Sequence, residues 1–181
     1  MKELTIIRHA KSSWDNPSIS DFDRPLNSRG IQNATMMGKI LHEEGIIFDQ
    51  IISSSANRAI TTANTIACSI GYPKENIKKE LNFYGADTYT IFTKLKRLNP
   101  SIVHVAICGH NPTFHSLIEK ICFTSIVKFP TCAIASISLE INMWKELSTG
   151  SGKLKVLRRP RDYILSLIHI SEPTRRTPIS Y

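Results

Sequence analysis

Two short apolar runs constrain this chain more than anything else in it. Leu4-Thr5-Ile6-Ile7 leads directly into Arg8-His9, and Val103 to Cys108 leads into Gly109-His110. Each run is short and continuously apolar, which reads as a strand buried on both faces, as in a parallel sheet. Each histidine therefore falls just past the C-terminal end of a strand. In open α/β sheets ligands bind along that edge, so the pattern predicts one crevice holding two imidazoles and the Arg8 guanidinium.

The rest of the chain supplies the elements such a sheet needs. After a polar loop from Arg8 to Leu26, Asn27 or Ser28 caps a helix with Ile31, Ala34, Met37, Ile40 and Leu41 at helical spacing, stopped by Gly45. A strand follows over 49–53, then a helix over 57–70 with Ala59, Ala63, Ile66, Ala67 and Ile70 facing inward, ended by Gly71. A weak strand is expected over 77–81. Asp87 caps a helix bearing Ile91, Leu95 and Leu98, which stops at Asn99-Pro100. Residues 101–108 form the clearest strand, and Pro112 starts a fourth helix. Beyond Pro130, three more strands are expected over 133–141, 143–147 and 153–157, the last two separated by the turn Gly150-Ser151-Gly152. This order predicts a single α/β domain over residues 1–163, with a mostly parallel central sheet and helices on both faces. Residues 164–181 break the pattern and resemble a translated sequencing-adapter read-through. They are expected to form an unstructured tail outside the natural domain.

Composition excludes several classes. No apolar run reaches the ~20 residues of a membrane-spanning helix, and Met1-Lys2-Glu3-Leu4 does not open a secretory signal, so a cytoplasmic, membrane-free protein is expected. Cys68, Cys108, Cys122 and Cys132 include no C-x-x-C pair and read as free thiols, with no metal site expected. The net charge of +8 is spread along the chain. It suits an anionic substrate or a solvated basic surface as well as it suits nucleic acid.

Four further motifs keep order with Arg8-His9: Asp21-Phe22-Asp23-Arg24-Pro25-Leu26 with Gly30, Ser53-Ser54-Ser55 with Arg58-Ala59 and Thr61-Thr62, Gly109-His110-Asn111-Pro112, and Pro130-Thr131-Cys132. Together with Arg8-His9-Ala10-Lys11-Ser12-Ser13-Trp14 they resemble the histidine phosphatase superfamily, in its compact SixA-like phosphohistidine phosphatase branch. The resemblance covers about residues 1–162. It implies a phosphoglycerate mutase-like fold without a large lid insertion. Two positions depart from the pattern: Ala10 stands where the superfamily usually has Gly, and Ala56 where it often has Pro.

The resemblance implies that His9 is a nucleophile forming a phosphohistidine intermediate, with Arg8, Arg58 and His110 around the equatorial oxygens. His9 should be neutral and His110 more useful when protonated. Glu80 lies in the region where larger members carry a proton-donating Glu; Asp15, Asp21, Asp23 and Asp87 are other carboxylates near the expected pocket loops. Lys11, Ser12 and Asn111 are candidate substrate-binding residues. No cofactor or metal is implied. The expected enzyme is a metal-independent phosphoric-ester or phosphoramidate hydrolase. The expected partner is a phosphorylated protein, such as a histidine phosphotransfer protein, met by a monomer without nucleic acid. Two alternatives compete: a phosphatase or mutase acting on a small phosphorylated metabolite, and a non-catalytic basic nucleic-acid-binding module. Outside the motifs, His42 suits the end of a helix, His104 and His115 read as structural, His169 lies in the tail, and Trp14 either walls the pocket or anchors its loop.

Overall fold

The computed structural model describes residues 1–164; of the expected tail, Ile164 ends a helical turn and the rest, with His169, lies outside the described residues. Strands β1 (Lys2–Arg8), β2 (Gln50–Ser54), β3 (Lys78–Glu80), β4 (His104–Gly109), β5 (Ile134–Leu139) and β6 (Gly152–Arg158) form one sheet in the order β3-β2-β4-β1-β5-β6. The β3-β2, β2-β4 and β4-β1 pairs are parallel, and β1-β5 and β5-β6 are antiparallel.

The two runs that opened the sequence are neighbours at the centre of this sheet. Their register pairs Ile7 with Cys108 and Arg8 with Gly109, so His9 and His110 leave the same edge side by side. Because side chains alternate along a strand, each run feeds both faces. Leu4, Ile6, Val105 and Ile107 join one buried cluster, and Ile7, Ala106 and Cys108 join the other.

Helices α1 (Ser28–Glu43) and α2 (Asn57–Ser69) cover the second face, and α3 (Thr88–Lys96) and α4 (Thr113–Cys122) cover the first. Asn27 caps α1 by accepting from Gly30 N–H at 2.8 Å, and Asp87 caps α3 by accepting from Thr90 N–H at 2.8 Å. Both donors would otherwise be orphans of a helix's first turn. The buried stripe of α1 is Gly30, Asn33, Ala34, Met37, Gly38 and Leu41. Two glycines in that stripe let the helix approach its neighbours closely. A Cβ on Gly30 would stand 2.1 Å from the Lys11 carbonyl oxygen, and one on Gly38 would stand 2.6 Å from Ser69 Oγ.

Three expectations are corrected. Ile31 lies off the α1 stripe and is 49% exposed. Pro112 precedes α4 as its cap instead of opening it, and the Asn111–Pro112 peptide is cis. Residues 143–147 do not form a strand. Trp144–Glu146 is a short 3-10 turn in which Glu146 accepts from Asn142 and Met143 N–H, and buried Trp144 donates its indole N–H to the Ile102 carbonyl at 2.8 Å. Among the described residues, no helix is long and apolar enough to cross a membrane.

Candidate active site

Backbone bonds fix the reactive end of β1 on two sides. His9 N–H donates to the Gly109 carbonyl at 2.9 Å, and Cys132 N–H reaches both the Arg8 and His9 carbonyls at 3.1 Å. The His9 side chain is 9% exposed, and its Nδ1 lies 2.8 Å from the Ala10 carbonyl oxygen. A carbonyl only accepts, so Nδ1 carries the proton and the lone pair sits on Nε2, free to react. Burial pushes the His9 pKa down to about 4; the Ala10 bond opposes this, and the Arg58, Arg8 and Arg24 charges add to it. The ring is therefore neutral at neutral pH.

Ala10 is accommodated without strain. Phe123 and Cys132 are the non-glycine residues with positive φ among the described residues, so Ala10 keeps ordinary backbone geometry. Its N–H donates to Thr62 Oγ1 at 2.9 Å, and Thr62 in turn donates to the Arg58 carbonyl at 2.7 Å. This ties the loop after β1 to the first turns of α2. Ala56 stands at the N-terminal boundary of α2 with φ −58° and ψ 137° and makes no side-chain cap.

His110 packs beside His9 with ring centroids 5.1 Å apart. Its Nε2 lies 2.8 Å from Ser54 Oγ. That oxygen also accepts from Ala56 N–H, and His110 Nδ1 is buried without a partner. Burial, then the neighbouring His9, then Arg58 lower the His110 pKa to about 3. His110 is therefore held neutral, contrary to the protonated form expected from the sequence, because burial and the Arg58 and Arg8 charges oppose a proton there.

Arg8 donates through Nη1 to the Phe129 carbonyl at 2.9 Å, and its Nε is buried without a partner. Burial lowers its pKa. Arg58, in the first turn of α2, also keeps a buried and unpartnered Nε. Its Nη2 reaches Asp21 Oδ2 at 3.0 Å, and its Nη1 reaches the Asp21 backbone carbonyl. Asp21 Oδ1 accepts from Arg24 Nε at 3.0 Å and Nη2 at 2.8 Å, and Oδ2 accepts from Tyr84 Oη at 2.8 Å. Burial alone would raise the Asp21 pKa; the bonds from Tyr84 and Arg24 and the Arg58 charge outweigh it and hold the carboxyl at about 2.

Arg58, Tyr84, His110, Asn111 and Thr113 help to line an open cavity of about 520 Å³. Asn111 Nδ2 donates to the Phe129 carbonyl at 2.9 Å, so the carbonyl that holds Arg8 also holds Asn111. Ser12 is buried and receives Arg24 Nη1 at 2.6 Å, while Lys11 is exposed and receives Asn27 N–H on its carbonyl.

Glu80 is not brought to this site. Its carboxylate pairs with Lys94 of α3 and lines a separate hollow with Asn82, Tyr89 and Thr93. The same segment delivers Tyr84 to the cavity in its place. Tyr84, Ser54, Thr62 and Arg24 carried no expected role, and Asp21 stood only among several carboxylates. Ser54, Thr62, Arg24 and Asp21 lie within the ordered motifs, which was their one signal in the sequence; Tyr84 lies outside them. His104 and His115 have partners elsewhere: His104 Nε2 meets Thr5 Oγ1 at 2.9 Å, and His115 pairs with Glu119 at 3.3 Å. Trp14 is 70% exposed and lies over the Arg24 guanidinium, 3.6 Å from it. Among the described residues no cluster of three or more His, Cys, Asp or Glu side chains is arranged to hold a metal ion.

Residues 4–83, which carry Arg8, His9 and Arg58, match the family model for the histidine phosphatase superfamily, branch 1. An uncharacterized protein of Mycobacterium tuberculosis is 30% identical over 166 residues, covering 86% of this chain and 100% of that protein. An uncharacterized chloroplastic protein of Arabidopsis thaliana is 30% identical over 159 residues, covering 83% of this chain and 72% of that one. The chain belongs to the histidine phosphatase superfamily. The fold of this histidine phosphatase also matches the protein histidine phosphatase SixA, solved in complex with tungstate. That match has a TM-score of 0.77 and 22% identity, over 89% of this chain and 99% of that one.

Proposed function

We propose that this protein hydrolyses a phosphoryl group through a covalent intermediate on His9, and that its substrate is a phosphohistidine carried by another protein. One observation carries the reading. Two buried donors, Arg8 Nε and Arg58 Nε, lack partners, as does the buried nitrogen Nδ1 of His110; His110 packs beside His9, and both guanidiniums act on His9 electrostatically. Buried donors are rarely left unbonded, so the cluster suits a bound tetrahedral anion.

The chemistry follows from that geometry. His9 Nε2 attacks phosphorus as the bond to the leaving group breaks, and the leaving group departs with the bonding pair. Arg8, Arg58 and His110 stabilise charge on the equatorial oxygens, the main task in phosphoryl transfer. Water then attacks the phosphorus, the N–P bond breaks with its electron pair returning to Nε2, and phosphate is released while the proton lost by the water passes to solvent.

The leaving group is inferred from the acids. None of the residues lining the cavity is acidic. Asp21 is held ionised, and Glu80 is bound to Lys94. An alkoxide, whose parent acid has a pKa near water's ~15.7, needs a proton donor at the site, whereas a phosphohistidine ring whose distal nitrogen takes its proton from water leaves as neutral imidazole, the conjugate base of an acid of reference pKa about 6.5, and departs far more readily. A phosphoramidate substrate suits such a site.

The test compares a phosphohistidine-bearing phosphotransfer domain with p-nitrophenyl phosphate, acid-labile label being trapped on the enzyme. Label on His9, absent in His9→Ala, with faster turnover of the phosphohistidine protein, is the expected result. Labelled enzyme that clears small esters but leaves the phosphohistidine protein untouched would overturn the substrate assignment. Absence of label and of turnover would overturn the phosphoryl-transfer reading itself.

A further inference from the structure

Two loops far apart in sequence meet beside the reactive pair. The first carries Asp21 and is stitched to the start of α2: Asn57 N–H donates to the Phe22 carbonyl and Asn57 Nδ2 to the Asp23 carbonyl, both at 2.9 Å. The second follows β3 and carries Tyr84. Its ring stands edge-on to Phe22 at 5.1 Å and to His110 at 5.7 Å. Packing on both sides aims the hydroxyl at Asp21 Oδ2, where Arg58 Nη2 also binds.

We propose that Tyr84 and Asp21 form a positioning pair that sets the orientation of the Arg58 guanidinium, a role that rests on the phosphoryl-transfer reading above. An unrestrained arginine has several rotatable bonds, and fixing it only when substrate arrives would cost binding energy. Here the Nη edge of Arg58 is already held by the Asp21 carbonyl and carboxylate, and the Nε–H remains as the free donor. The carboxylate accepts four bonds in all: two from Arg24 on Oδ1, and one each from Arg58 and Tyr84 on Oδ2. That fills the capacity of an ionised carboxylate, so Asp21 is spent on holding its neighbours and is not a proton donor. The charges match this task. Arg8, Arg24 and Arg58 against Asp21 leave two positive charges beside two neutral imidazoles, which balances a dianionic phosphoryl group.

Tyr84→Phe tests the hydroxyl alone, because it keeps the ring against Phe22 and His110. Expected are a weaker dissociation constant for tungstate and a lower kcat/KM on p-nitrophenyl phosphate, each by about fivefold to tenfold, at an unchanged Tm. Asp21→Asn should cost more, roughly a hundredfold in kcat/KM. In the Asp21→Asn background, Tyr84→Phe should add nothing, because both act through one bond network. Wild-type tungstate affinity and kcat/KM in Tyr84→Phe would overturn the pairing, as would two effects that simply multiply. A wild-type protein that neither binds tungstate nor turns over a phosphate ester would instead sink the phosphoryl-transfer reading, and the pairing with it.

Discussion

Acid should destabilise this protein through His9 in a calculable way. The His9 pKa falls from 6.5 to about 4 on folding, chiefly by burial. With the folded value depressed, the folded chain refuses a proton that the unfolded chain accepts. The contribution is complete above the unfolded value and is lost as the pH falls from there through about 4. At about pH 5 these two values make His9 alone cost about 2 kcal/mol. For a domain of this size that is about 4–8 °C in Tm. His110, at about 3, acts with the same sign. The assay is urea unfolding at about pH 7 and about pH 5, followed by the fluorescence of Trp144, whose indole is buried. His9→Asn cannot take up the proton. Wild type should therefore lose about 2 kcal/mol more than the variant between the two conditions. Equal losses in the two proteins would refute the claim that His9 is buried neutral.

Three further outcomes follow from contacts already described. Glu80→Gln should keep kcat/KM on a phosphate ester within about twofold, because that carboxylate is bound to Lys94 away from the cavity and a partly exposed ion pair contributes about 1 kcal/mol or less; a steady-state assay showing a large loss would return Glu80 to the reaction. Arg58→Ala should lower kcat by roughly a hundredfold to a thousandfold with the fold intact, which circular dichroism and kinetics together would check. Gly30→Ala should cost about 1–3 kcal/mol, because its methyl would meet the Lys11 carbonyl oxygen at 2.1 Å; an unchanged urea midpoint would show that the loop gives way freely.

The parts of the fold that were legible in the sequence are those written in local pattern. Apolar runs marked β1 and β4, and short polar side chains marked the caps at Asn27 and Asp87, since each signal lies within a few residues of its effect. Residues 143–147 misled because a strand-like mixture of apolar and polar residues is also what a single turn needs when Trp144 is buried and Glu146 folds back on it. The grouping of His9 and His110 at one sheet edge was legible because each follows a buried run, whereas Arg58 was singled out only by the resemblance that its companion motifs carry. The contact between Asp21 and Tyr84 was not legible: it joins two loops whose approach depends on packing around Phe22. Glu80 was misplaced for a related reason. It is the last residue of β3, and its side chain turns toward α3 and Lys94.

The spacing of the two imidazoles comes from the ladder of hydrogen bonds between β1 and β4, which runs up to the bond from His9 N–H to the Gly109 carbonyl. Neighbouring strands in any sheet lie about 4.7–4.9 Å apart, close to the 5.1 Å between the rings. The interval between the two rings thus follows the spacing of the main chains that carry them. Loops around the crevice can be lengthened, shortened or recharged to suit new substrates while that interval stays constant, so selectivity and reactivity can evolve separately in this scaffold.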